Sequence, residues 1–139
     1  MSRRFTFACL VVLAFVIAPL PRDAVFADPS SGVVQTTLYF GLDLADGGKV
    51  NERDWTRFLA EVVTPRFPDG LTVVDAYGQW RDPSVEATPI LREATKVVII
   101  VHDATPGAVS ALADIKTDDM DRFGQKSVFH TETPVRVVE

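Results

Sequence analysis

Residues 62–80, VVTPRFPDGLTVVDAYGQW, decide the fold. They hold a helix end, a braced turn and a long strand with no filler between them. Pro65 lacks the N–H that a helix interior needs, and it biases Thr64 away from helical angles, so the preceding helix is expected to stop here. Pro68-Asp69-Gly70 reads as a tight turn, with proline fixing φ and glycine free to take a positive φ. Residues 71–80 are rich in β-branched and aromatic side chains and read as a strand. Polar groups gather in its second half: Asp75, Tyr77, Gln79 and Trp80, followed by Arg81.

Upstream of this stretch the helix is well signalled. Asn51 is a good N-cap, and Asp54 three residues on resembles a capping box with the shorter acid. Trp55, Phe58, Leu59, Val62 and Val63 follow the i, i+3, i+4, i+7, i+8 spacing of one buried face. Before it, residues 33–42 alternate as a strand, with Leu38, Phe40 and Leu42 on one face and Thr37 and Tyr39 on the other. The loop 43–49 carries Asp46-Gly47-Gly48. It lacks the ligand spacing and closing Glu of a calcium loop, so a plain turn is expected.

Downstream, residues 81–89 form a hairpin-like connection. Residues 90–102 give a third strand whose run 97–101 is apolar without a break, as in a strand covered on both faces. Thr105-Pro106 opens a second helix. Its apolar stripe is read as Val109, Leu112, Ala113 and Ile115 or Lys116, continued by Met120 and Phe123, with Gly124 as C-cap. Residues 126–130 are a last strand; Pro134 then interrupts it, so 135–138 is either an edge continuation or a short separate strand.

The order β-α-β-β-α-β predicts an α+β, ferredoxin-like fold: a four-stranded antiparallel sheet with both helices on one face. The other face is left free of helices, yet the third strand is apolar on both sides. A partner subunit or a ligand is therefore expected there, and a homodimer through that face is the predicted assembly.

The N-terminus reads as an export signal. Arg3 and Arg4 precede an apolar run over 5–20, and Val25 and Ala27 stand at the small-residue positions of a cleavage site. The run is short for a membrane span. The division expected is 1–27 signal peptide, 28–32 flexible lead-in and 33–139 a single α+β domain, with a secreted or periplasmic location. The one cysteine, Cys9, lies in the signal, so the mature chain has no disulfide, thiolate nucleophile or cysteine-bound metal. Removing 1–27 leaves eleven basic against eighteen acidic residues, a net charge of −7, against −5 for the whole chain. Such a balance argues against nucleic acid as a partner and, after signal cleavage, against an anionic membrane.

The segments LYFGLDLADGG (38–48), W-x-x-F-L-x-x-V-V-T-P-R-F-P-D-G-L-T-V-x-D-A-x-G-Q-W from Trp55, TKVVIIVH (95–102) and RFGQKSV (122–128) resemble a bacterial family of small, often exported proteins known only as a domain of unknown function, number 3574. The likeness runs over about residues 37–128, and the loop 82–89 departs from the family's usual turn. It implies no activity.

Two constellations carry chemistry. Asp75, Tyr77 and Gln79 share one strand face; if it is the helix-free face, Tyr39 joins them in a polar pocket, with Asp75 as proton acceptor and Tyr77 as hydrogen-bond donor. The competing reading is a structural hydrogen-bond network closing the sheet. His102 ends the third strand as a candidate base or turn-bonding residue. The only other histidine is His130, and no metal-ligand spacing exists, so neither metal nor cofactor is expected. Arg66 suits an anion clamp or an ion pair with Asp69 or Asp75. Two functions remain open. One is a non-catalytic domain binding a small molecule or protein through the helix-free face, with Tyr39, Gln79, Trp80, Arg81 and Arg66 as contact residues. The other is a cofactor-free oxygenase- or isomerase-like enzyme using Asp75, Tyr77 and His102, a reading by fold analogy.

Overall fold

The first strand, β1 (Val33–Gly41), buries Thr36, Leu38 and Phe40 and turns Thr37 and Tyr39 the other way. In the computed structural model, which describes residues 32–44, 46–81 and 89–138, this strand lies inside a four-stranded sheet of order β2-β3-β1-β4. Its neighbours are β3 (Leu91–Asp103) and β4 (Phe129–Pro134), and β2 (Thr72–Trp80) pairs with the far edge of β3. Every pairing is antiparallel. The helices lie between β1 and β2 and between β3 and β4 in the chain, and the arrangement is ferredoxin-like. The expected signal peptide over 1–27, most of the lead-in 28–32 and positions 82–88 of the connection lie outside the described residues.

Helix α1 (Glu52–Phe58) begins where the sequence places it. Asn51 Oδ1 accepts the Asp54 N–H at 3.0 Å, and Asn51 Nδ2 donates to Asp54 Oδ2 at 2.7 Å. The helix does not stop before Pro65, as expected. It passes through a π-helical segment (Leu59–Val63) into a last turn, α2 (Thr64–Arg66), that contains the proline. A regular α-turn would drive the Pro65 ring into the carbonyl four residues back; the wider π turn relieves that clash. Arg66 Nη1 donates to the Val62 carbonyl at 2.8 Å. The chain then leaves the helix at Phe67 and turns through Gly70, whose φ of +130° favours glycine.

Helix α3 (Pro106–Phe123) is capped by Thr105, whose Oγ1 accepts the Ala108 N–H at 3.1 Å, and ends on left-handed Gly124. Its buried stripe is Leu112, Ile115 and Asp119, flanked by half-buried Ala108, Ala111 and Phe123. Val109, expected in that stripe, is 64% exposed, and Ala113 is exposed as well. The stripe is set one residue away from the expected one because an aspartate occupies a core-facing position. The last strand also starts later than expected. Residues 125–128 cross back under β1, tied by Gln125 Nε2 to the carbonyls of Gly41 and Asp43 at 3.0 and 3.1 Å. Pro134 closes β4 on the sheet edge, where a missing N–H is tolerated.

The core is aromatic at its centre. Phe40 meets Trp55 at 5.2 Å and Phe58 at 5.8 Å between ring centroids, and Phe58 meets Phe123 at 5.7 Å. Tilted and edge-on pairs of this kind add to the area they bury. Val98 and Ile100 of β3 lie under the helices. Val97 and Ile99 on the opposite face are half-buried, and Val101 is 44% exposed. Among the described residues, one face of β3 is covered and the other is left open.

Candidate functional site

Strand parity sorts the expected site residues onto two faces. Asp75 stands opposite Lys96, and Tyr39 opposite Val97. Asp75, Tyr77 and Gln79 thus lie on the helix side of the sheet, whereas Tyr39 lies on the helix-free side, its ring 5.4 Å from that of Phe129. The pocket joining Tyr39 to Asp75 and Tyr77 does not form. Val73 shares their parity and packs against the core, which fixes the whole alternation.

Asp75 is instead one member of an ion triad. Lys96 Nζ lies 2.6 Å from Asp75 Oδ1 and 2.8 Å from Glu52 Oε2. The lysine side chain is buried and both carboxylates are exposed. Hydrogen bonds donated by the ammonium to Asp75 first, then to Glu52, hold its pKa above the ordinary value, against the opposing effect of burial. This is a strut from β3 to β2 and to the start of α1, the network alternative for Asp75. Tyr77 is exposed beyond it.

His102 belongs to neither group. Its Nδ1 donates to the Asp103 carbonyl at 2.9 Å, its Nε2 lies 2.9 Å from the buried Thr36 hydroxyl, and its ring packs against Phe67 at 5.2 Å. Six residues of β3 separate it from Lys96, about 20 Å at strand rise. Asp75, Tyr77 and His102 do not converge. Arg66 pairs with Asp118 of α3 at 3.2 Å rather than with Asp69 or Asp75, because its helical turn packs beside α3. Arg81 is exposed past the end of β2.

Two clefts stand out on the surface of the described residues. One, of about 610 Å³, lies between α1 and the end of α3; its cations are neutralised in place, Lys49 by Asp43, Arg57 by Asp54 and Arg122 by Glu61. The other, of about 440 Å³, opens at the Trp80–Leu91 end of the sheet. Trp80 has the parity of the helix-free face and is 48% exposed. Beside it sits Glu93. A Cβ on Gly41 would come within 2.6 Å of Glu93 Oε2, so glycine makes room for this carboxyl. Burial, then repulsion from Asp43, raises the Glu93 pKa, and the Asp43 backbone N–H pulls it partly back.

The helix-free face carries the other feature of note. Val74, Val97, Ile99 and Val101 form its centre, with the Tyr39–Phe129 ring pair beside them. Across its strand positions only Glu93 and Asp103 are charged, at opposite ends of β3. Sequence reasoning missed Lys96, Glu93 and Asp119. Lys96 and Asp119 each break an apolar periodicity at a core-facing position, and that signal was available.

A family model matches residues 35–138. The chain belongs to the family described as Protein of unknown function (DUF3574). The DUF3574 match takes in both helices and all four strands except the first two residues of β1. No curated protein matches the chain. Among solved structures, a phage SAM lyase in complex with S-methyl-5'-thioadenosine is similar at 14% identity and a TM-score of 0.58, covering 73% of this chain and 81% of that one. The same enzyme in its apo state gives 13% identity and a TM-score of 0.54, over 72% and 78%. At such identities the likeness is one of fold. It places the DUF3574 domain in the same α+β class.

Proposed function

We propose that the chain is an exported, non-catalytic domain that works by binding through its helix-free sheet face, and that a second copy of the chain covers the apolar centre of that face. The observation carrying this reading is the near absence of charge on that face. A twofold pairing sets a surface against itself, so any charge near its centre meets its own sign. Here the two acidic residues stand at the rims, and the centre is aliphatic and aromatic. Elsewhere the chain is acidic, with a net charge of −5, which disfavours self-association by other faces. An exposed apolar patch of this extent is uncommon on a monomer. Export rests on the Arg3-Arg4 pair, the apolar run 5–20 and Ala27.

The experiment is charge insertion. Ile99 is the member of the Ile99–Ile100 pair that points away from the helices, and Val101 lies beside it. Ile99→Glu and Val101→Glu should release monomers that keep native circular dichroism, whereas Val109→Glu on the outer surface of α3 should not. Dimers that survive both sheet substitutions sink the proposal. The enzyme reading is less favoured, because the three groups it needs are apart and two of them, Asp75 and His102, already bond within the fold.

A further inference from the structure

The cleft at the Trp80 end differs from its neighbour in the state of its charges. Among the described residues no carboxylate pairs with Arg92 or with Lys126, although both line the cleft. Lys49, Arg57, Arg122, Arg66 and Lys96 have carboxylate partners, whereas these two cations, like Arg53, Arg81 and Arg136 outside the recess, have none among the described residues. The recess also has an apolar wall on the helix-free side, since Trp80 and Leu91 stand opposite each other across the β2–β3 pairing, both half-exposed; Arg92, opposite Gln79, has the helix-side parity, so the recess takes groups from both sides of the sheet's end. Glu93 supplies an acceptor, seated over Gly41 by a glycine that leaves it room.

We propose that this cleft binds a small organic anion with an aromatic body, its ring against Trp80 and Leu91, its anionic group taken by Arg92 and Lys126, and a hydroxyl or amine hydrogen donated to Glu93. The chemistry follows from the groups present. Guanidinium and ammonium recognise carboxylate or phosphate. An indole face takes an aromatic ring. A carboxylate beside the two cations discriminates for a ligand that brings a donor along with its negative charge. The inference extends the binding reading above from the centre of the sheet to its rim, and it stands whether or not the chain dimerises.

The test uses the processed full-length gene product, 15N-labelled, titrated with 4-hydroxybenzoate, which has ring, anion and donor. Benzoate lacks the donor, and 4-hydroxybenzyl alcohol lacks the anion. The expected result is a saturable shift of the Trp80 indole N–H and the Ser127 amide, with the buried Trp55 indole unmoved. The Kd should be about 1 mM or tighter, a reasonable value for so small a ligand. Arg92→Ala with Lys126→Ala should weaken 4-hydroxybenzoate at least about tenfold. Glu93→Gln should narrow the preference for 4-hydroxybenzoate over benzoate. Arg92 and Lys126 are exposed, so unchanged melting is expected of that pair, and Gly41→Ala gives a second way to displace the Glu93 carboxyl. No shift at Trp80 with any of the three compounds overturns the proposal. So does binding that the Arg92/Lys126 pair of substitutions leaves unaltered, or tighter binding of the uncharged alcohol.

Discussion

Asp119 is the residue whose position is hardest to reconcile with solvation. It lies on the buried stripe of α3 at 1% exposure, and its Oδ2 has no hydrogen-bond partner among the described residues. Burial raises its pKa to about 7, from 3.8 for the free side chain. A carboxyl raised in this way is stable in the fold when neutral. Its stabilising contribution is fully present below pH 3.8 and is lost as pH rises through about 7. The loss amounts to roughly 4 kcal/mol at about 1.4 kcal/mol per pKa unit. Asp119→Asn should therefore raise the melting temperature at pH 8 and do little at pH 4. Equal shifts at both pH values would contradict the burial account. Lys96 is the opposite case, a buried charge with both partners in place. Its raised pKa stabilises the fold below about pH 10.5, and that contribution is lost as pH climbs through the raised value. Replacing both Asp75 and Glu52 by their amides strands the ammonium. The expected cost is about 1–3 kcal/mol in urea unfolding, below the usual range for a broken buried pair because the carboxylates are exposed. Lys96→Met should be close to neutral, within about 1 kcal/mol, since it removes the charge and keeps the volume. A large loss for Lys96→Met and none for the double amide would reverse this account.

At the scale of elements, Trp55 and Phe58 anchor the first helical rod against Phe40 of β1. Truncating either to alanine should cost ~3–5 kcal/mol, read as a drop in thermal or denaturant stability. Unchanged melting would mean that the rod does not pack on the sheet in this way. Most of these elements were legible in the sequence because their signals are local. Asn51 and Thr105 as caps, Gly124 as a stop and the alternation of 33–42 each work within a few residues. What was not legible depends on tertiary partners. Pro65 reads as a terminator in isolation, but a π segment lets the helix carry it one turn further. The stripe of α3 was misread because an aspartate in the core cannot be recognised before the core is known. The face occupied by Asp75, Tyr77 and Gln79 was open for the same reason: alternation tells which residues share a face, and only packing of Val73 against the helices tells which face it is.

On the scale of the whole molecule, the ferredoxin-like sheet buries one face under its helices, and among the described residues the other face is bare of helices and carries charge only at the ends of β3. The candidate catalytic groups are dispersed over the helix side, and the cleft lined by Arg92 and Lys126 sits at the rim of the helix-free face. The proposed export bears on where such a domain would meet its partner. N-terminal sequencing of the processed protein should begin at or near Asp28, and an intact Met1 in a membrane fraction would contradict the cleavage. The central claim is that the bare face is an interface between two copies. Light scattering on the processed wild-type protein at micromolar concentration tests it most directly. The account predicts twice the mass of one chain; a single chain's mass across that range would contradict it.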